Sequence, residues 1–543
     1  MEADPHTVDL LAAERGVSRV VRRLAVCLAF STCCFLASWV ALGTGPNVYF
    51  ARWGPLYTIV IPVLLLEGVL TLGLFGVWEL FRYWGWHRAI AAHLLFLAAC
   101  TAPLGLALAG SLQALPSVFS WLRNPLSWLV GLPLVFWASR GVIRKPRTAS
   151  RFVRNAFLTA SPVLAVVTIS GAWATLRYSG SPYTDGPLAP ALPGSAQIRV
   201  VWVVFDELSQ AIAFEQRPSN LRLPNLDRLK AESFYAVAAS SPADATLVSM
   251  PALILGQDLA EAKPLGPDEL LLRRPGLSPA FPWASVPNIF DTARALGLNT
   301  ALAGWYHPYG RLLNHSLTQC YWVAMLRPFG LEEPFDTGPR SDTTPERWWS
   351  QIADLPMIRY LRPKSPETLR RRERIERFLW LLQHARELVA DPSIGLVLLH
   401  LPVPHTPAIY SRSKGALAAE GPLSYLDNVA LADQTLGVLR QAIEQAGLWD
   451  RTALLVSSDH GWRTRMWRGA ADWTAEEEAA SHVDTSDVPF LLRLPGQTSG
   501  LRYDNPFNTV ITRQILNRIL SGQLKAPEEM PHLIQGLAAE VRK

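Results

Sequence analysis

Three short segments hold the side chains of this chain best suited to chemistry. Phe205-Asp206-Glu207 closes an apolar run, Thr246 stands at the start of a helical stretch, and Ser457-Ser458-Asp459-His460-Gly461 closes a second apolar run. A strand that is apolar apart from Arg199 and then presents Asp206 and Glu207 delivers carboxylate at the rim of a sheet, where it is solvated or used. Asp459 and His460 repeat that arrangement, and Gly461 lets the backbone turn close to a ligand. Two carboxylates, an imidazole and a hydroxyl form a four-ligand set suited to Zn²⁺ or Mn²⁺, with Ca²⁺ or Mg²⁺ as alternatives. Each acid taken alone reads rather as a loop or capping carboxylate, and only their joint occurrence points to a site.

The elements that must position these groups are legible as an alternation. Residues 198–205, 299–305, 394–400, 452–458 and 489–494 are short apolar runs of strand type, and helical patterns occupy 226–232, 288–296, 367–389 and 425–447. Such alternation predicts an α/β sandwich around a largely parallel sheet, in which ligands sit at the carboxyl ends of strands. Asp206 and Asp459 both fall at such ends.

The motifs resemble the alkaline phosphatase superfamily, specifically its sulfatase-like branch with the membrane-bound phosphoethanolamine and phosphoglycerol (lipoteichoic acid synthase-like) transferases. In sulfatases a Pro-Asn-x-Asp-x-Leu segment, here from Pro224, runs into Cys-x-Pro-Ser-Arg, whose Cys becomes formylglycine. Counted back from Gly256, that Cys position holds Thr246, while Val248 and Met250 replace the motif's Pro and Arg. The transferases carry Thr-x-x-Ser-x-Pro at this place, which Thr246, Ser249 and Pro251 match. The resemblance spans about residues 196–500 and implies a Thr246 nucleophile, metal ligands Asp206, Thr246, Asp459 and His460, and a sulfatase-like sandwich fold.

Further residues carry weaker readings. Sulfatases use a second acid at the place of Glu207 on calcium, which makes Glu207 a metal candidate; a supporting or helix-start role is the alternative. His405 lies in a segment resembling Leu-His-x-x-x-x-His-x-Pro, whose second His contacts substrate phosphate in the transferases. His482 precedes the segment that closes the sulfatase-like core, where relatives place a phosphate-binding Lys or His. Both are candidates for substrate binding and for protonating the leaving alcohol. Arg463, with Arg465 and Arg468 behind the Asp-His-Gly turn, is placed to attract an anionic headgroup. His400 reads as structural because it ends its strand, and Trp305 and His307 as packing or pocket lining. The charged run 370–386 reads as a solvated face, and Asp244 as a helix cap.

Composition divides the chain. A mean hydropathy of +0.14 with 20 Trp in 543 residues is high for a soluble enzyme. Apolar runs at 24–44, 56–80, 89–109, 125–139 and 157–178 approach the roughly 20 residues of a spanning helix. They predict a membrane domain of about five transmembrane helices over 1–178, a Pro/Gly/Ser-rich linker over 179–195 and an extracytoplasmic domain over 196–543. Arg15, Arg19, Arg22 and Arg23 precede the first run, and Arg140, Arg144, Lys145, Arg147, Arg151 and Arg154 crowd the fourth connection; the alternate loops hold only Arg52 and Arg123. Basic residues stay cytoplasmic. This predicts a multi-pass protein of a bacterial inner membrane with its C-terminal domain in the periplasm or on the outer face. Four of the five cysteines fall in apolar runs, leaving Cys320 as a small buried hydrophobe and no disulfide framework. The net charge of +6 brings no recognition motif for nucleic acid.

Together these features predict a metal-dependent transferase that moves a phospho-headgroup from a phospholipid donor to a saccharide or polymer acceptor at the bilayer. A phosphodiesterase or atypical sulfatase passing the group to water is the alternative, and a degenerate interaction domain is a third.

Overall fold

The computed structural model describes residues 5–34, 39, 49–50, 56–83, 146–178, 186–188, 190, 192, 198–276, 279–324, 366–470 and 472–541. The expected spans at 89–109 and 125–139 lie outside these residues. Three long helices precede the sheet domain: α1 (Pro5–Cys34), α2 (Leu56–Tyr83) and α3 (Pro146–Tyr178). They pack on one another. Helices α1 and α2 run antiparallel, because Arg23 pairs with Glu79 at 2.7 Å while Thr32, further along α1, binds Glu67, earlier in α2. Leu64, Leu65, Val69 and Leu72 on α2 and Val163, Val166, Ile169 and Trp173 on α3 are exposed. Among the described residues one stretch, Asn155–Trp173, is long and apolar enough to cross a membrane.

The remainder is a mixed, mostly parallel sheet between two helical layers. Its strands are β1 (Arg199–Asp206), β2 (Phe234–Ser240), β3 (Asn299–Tyr306), β4 (Gln319–Ala324), β5 (Ile394–Pro404), β6 (Thr452–Ser458), β7 (Asp487–Arg493), β8 (Leu501–Tyr503) and β9 (Phe507–Asn508). The order is β4-β3-β5-β1-β6-β7-β2-β8, with β9 also on β2 and residues Gly186–Pro187 beside β4. The block β4-β3-β5-β1-β6 is parallel, and β7 runs antiparallel to its neighbours.

Both faces of the central strands are apolar, as a doubly covered sheet requires. Val200, Trp202 and Val204 of β1 enter one core layer with helices α5 (Thr246–Leu255), α6 (Ile289–Ala295) and α9 (Thr512–Leu520). Val201, Val203 and Phe205 enter the opposite layer with α4 (Pro224–Ala231), α7 (Pro366–Ala390) and α8 (Tyr425–Gln445). Side chains that alternate in this way leave only the strand ends free for polar groups. The expected strand over 394–400 runs on to Pro404, so His400 lies inside β5 rather than at its end. The reading of 370–386 as a solvated face holds only in part: Arg371 and Arg374 are 4 % and 6 % exposed.

Candidate active site and metal centre

Strands β3, β5, β1 and β6 lie side by side and parallel, so their carboxyl ends open onto one rim. Pairing sets Val204 of β1 against His400 of β5, and Phe205 against Ser458 of β6. Asp206, two residues beyond Val204, therefore meets His400 from one side and Asp459 from the other. One ligand atom from each of Asp206, His400 and Asp459 lies within 4.8 Å of the other two, and all three side chains are buried. His400 Nε2 stands 3.8 Å from Asp206 Oδ2 and 4.0 Å from Asp459 Oδ2. His460 Nε2 stands 3.6 Å from Asp206 Oδ1 and 3.5 Å from Asp459 Oδ2.

Thr246 is the first residue of α5, preceded by the extended Ala245. Its Oγ1 lies 3.2 Å from His460 Nε2 and 3.5 Å from Asp206 Oδ2. Ser249, one turn later, donates to the Asp459 backbone carbonyl and so ties the helix to the second carboxylate segment. Asp244 does not cap this helix; it is exposed, and the capping position falls to Ala245 without a side-chain bond.

The donor set fits a divalent cation. Asp206 Oδ1, Asp459 Oδ2 and His400 Nε2 are buried without a hydrogen-bond partner, a costly arrangement for polar atoms unless they share an ion. Burial pushes the Asp206 carboxyl well up, and the neighbouring Asp459 and Glu207 push it further. Burial alone would raise Asp459 too, but the imidazoles of His460 and His400 and the Thr246 hydroxyl outweigh it and hold this carboxyl below its ordinary value. Burial brings His400 down to about 4, which keeps its ring neutral and able to ligate. His460 Nδ1 lies 2.9 Å from the Gly461 carbonyl; an acceptor there puts the hydrogen on Nδ1 and leaves Nε2 its lone pair. Sequence reasoning missed His400. The available signal was a lone imidazole in an apolar run, on the same face as Leu396 and Leu398.

Glu207, a metal candidate from the sequence, holds Arg463 with one carboxylate oxygen and leaves Oε2 buried without a hydrogen-bond partner. Its Oε1 accepts from Arg463 N at 3.1 Å, Arg463 Nε at 2.9 Å and Trp467 Nε1 at 2.8 Å. Its backbone adopts φ 71°, and Tyr306 at the end of β3 adopts φ 74°, two non-glycine residues in the left-handed region beside the same site. Arg463 Nη2 also reaches His405 Nε2 at 3.2 Å, and His405 Nδ1 lies 2.6 Å from the Thr406 carbonyl. The His405 ring is thus neutral with Nε2 as acceptor, and burial followed by Arg374 and Arg463 drives its pKa well down. In this state His405 supports Arg463, and a role as proton donor to the leaving group would require it to take up a proton. Arg374 underpins the same turn through Pro402 O at 2.9 Å and lies 4.0 Å over the Trp305 ring.

His307 is fully buried, and its Nε2 is 3.1 Å from the Thr246 carbonyl. His482 is exposed on the turn ahead of β7, and among the described residues no hydrogen bond joins it to the cluster. Arg468 pairs with Glu478 at 3.0 Å. The structure thus gathers Asp206, Thr246, Asp459, His460 and His400, with Glu207, Arg463 and His405 in a second tier.

Residues 268–532 match the family model described as type I phosphodiesterase / nucleotide pyrophosphatase. The matched stretch contains His400, Asp459 and His460 and begins after Asp206 and Thr246. A search of curated proteins returns no match. Similar solved structures include a sulfatase from Pseudoalteromonas sp. at 15 % identity, covering 60 % of this chain and 68 % of that one with a TM-score of 0.40. A protein of the alkaline phosphatase superfamily from Vibrio parahaemolyticus gives 14 % identity, coverages of 62 % and 69 % and a TM-score of 0.36. Murine ectonucleotide pyrophosphatase / phosphodiesterase 5, an inactive variant in complex with AMP, gives 12 % identity, coverages of 60 % and 95 % and a TM-score of 0.34. The family-model match agrees with the superfamily that the Thr246 and Asp459-His460-Gly461 motifs resemble.

Proposed function

We propose that this chain is a membrane-bound, metal-dependent transferase that moves the phosphorylated headgroup of a phospholipid onto an acceptor hydroxyl through a phospho-Thr246 intermediate. The observation that carries the reading is the position of Thr246 Oγ1, at the head of α5 and 3.2 Å from His460 Nε2. Asp206, Asp459, His400 and His460, with Thr246, would hold a divalent cation, Zn²⁺ or Mn²⁺ by their donor types, which lowers the hydroxyl pKa and offsets phosphate charge.

The chain's own groups do the rest. Thr246 Oγ1 attacks phosphorus, the Oγ1–P bond forms, and the P–O bond to the diacylglycerol oxygen breaks. The Thr246 proton leaves towards Asp206 Oδ2, and the departing oxygen takes a proton from solvent. An acceptor hydroxyl then attacks the same phosphorus, loses its proton, and returns Thr246 to its hydroxyl form. Arg463, held by Glu207 on one side and His405 on the other, offers its guanidinium to the non-bridging oxygens.

The arrangement of Arg residues supports an inner-membrane helical part over 1–178, a linker over 179–195 and a catalytic domain over 196–543 facing the periplasm or outer surface. In that compartment a phospholipid is the donor at hand, and a saccharide or polymer end supplies the acceptor hydroxyl. Hydrolysis is the second reading, favoured by the phosphodiesterase description of the matching family model; water then replaces the acceptor in the second step. Mass spectrometry after incubation with a headgroup-labelled phospholipid tests both. The labelled phospho-headgroup is expected on Thr246, with turnover lost in Thr246→Ala and partly kept in Thr246→Ser. Near-parental turnover in Thr246→Ala would eliminate the Thr mechanism, and label found solely as free headgroup phosphate would favour hydrolysis.

A further inference from the structure

Tyr49 and Phe50, which fall between α1 and α2 in sequence, pack against the sheet domain. Tyr49 is fully buried in the core layer that also contains Trp283, Tyr309 and Leu312. Arg311 Nη2 donates to its carbonyl at 3.1 Å, and the Phe50 ring meets Tyr306 edge-on at 5.1 Å. Tyr49 Oη lies 2.6 Å from His307 Nδ1, a contact between residues 258 apart in sequence.

The direction of these bonds follows from donor chemistry. A carbonyl only accepts, so the 3.1 Å contact of His307 Nε2 with Thr246 O puts the ring hydrogen on Nε2. The neutral ring then has a lone pair on Nδ1, and the Tyr49 hydroxyl must be the donor. Trp283 packs edge-on against the same imidazole at 5.2 Å, which leaves the ring little room to turn.

We infer that Tyr49 is a positioning residue for Thr246: through His307 it fixes the backbone of the nucleophile, so that the site is complete only with Tyr49 in place. This inference rests on the phospho-Thr246 reading above. Removing the Tyr49 hydroxyl frees His307 to exchange tautomers and loosens the carbonyl that Nε2 holds, and a nucleophile displaced by a fraction of an ångström loses its line to phosphorus.

The test uses the full chain in detergent or lipid with a headgroup-labelled phospholipid. Tyr49→Phe keeps the ring and its packing and is expected to lower kcat about tenfold with KM for the donor unchanged. His307→Gln retains an N–H for the Thr246 carbonyl and no longer needs the phenol, so adding Tyr49→Phe to it is expected to cost less than about twofold. Metal content and melting temperature are expected to stay parental in every variant. Parental kcat in Tyr49→Phe, or losses that simply multiply in the double variant, would overturn the relay. A drop in kcat that tracks lost metal or lowered melting would overturn it in favour of plain folding support. Parental turnover in Thr246→Ala would instead sink the phospho-Thr reading, so the two failures are told apart.

Discussion

Asp206 and Asp459 are wholly buried within reach of one another, and like charges so placed repel unless a cation stands between them. The atoms left unpaired there, Asp206 Oδ1, Asp459 Oδ2 and His400 Nε2, make His400 a ligand candidate of the same standing as His460. His400→Ala is therefore expected to weaken metal binding by at least about tenfold, read by elemental analysis under chelator competition. Parental metal occupancy would remove His400 from the ligand set. Asp206, Thr246, Asp459 and His460 were legible because their motifs are local. His400 was not, because its meaning depends on which residue of β1 stands opposite, and register cannot be read from one strand. Arg374 was hidden for a related reason. Its helix alternates charges as solvated helices do, and only the packed fold shows its guanidinium lying on Trp305.

At the level of elements, the site is a property of strand ends, and the turn after β6 shows how tightly one of them is held. Trp462 N bonds to Thr485 O at 3.1 Å, and Thr485 Oγ1 returns a bond to Trp462 O at 2.6 Å. Gly461 sits against this pair, where a Cβ would run into the backbone oxygens of Thr485 and Ser486. Gly461→Ala is expected to cost about 1–3 kcal/mol of stability by overpacking, and to weaken metal binding because His460 must move with the turn. Calorimetric melting with and without metal checks it, and an unchanged melting temperature would mean that the turn shifts freely. The five apolar runs read as strands all proved to be strands, since continuous apolar segments of that length have few other uses in a buried sheet. Strand β2 went unread because its alanines carry no strand preference; it forms because β7, β8 and β9 hold it on either side.

Across the whole molecule, the antiparallel α1 and α2 and the docked Tyr49 impose one geometric demand: Tyr49 and Phe50 must lie on the side of the sheet domain. On the proposed topology the basic residues make the same demand independently: Arg15 to Arg23 before Tyr49 and Arg140 to Arg154 before the catalytic domain would both stay cytoplasmic, so that Tyr49 and the domain would lie together on the outer side. What composition left open was whether the apolar runs merely anchor the domain or also build it, and Tyr49 was the residue that no motif or periodicity marked. A reporter active only in the oxidising compartment is expected to work when fused after Ser195 and to fail when fused at Lys145. A cysteine pair at Phe50 and Tyr306, whose rings meet edge-on at 5.1 Å, is expected to be joined in intact cells by a short bifunctional thiol reagent. An active fusion at Lys145 would reverse the topology and with it the lipid donor. Absence of the cross-link beside an active Ser195 fusion would leave the topology standing and detach Tyr49 and Phe50 from the site.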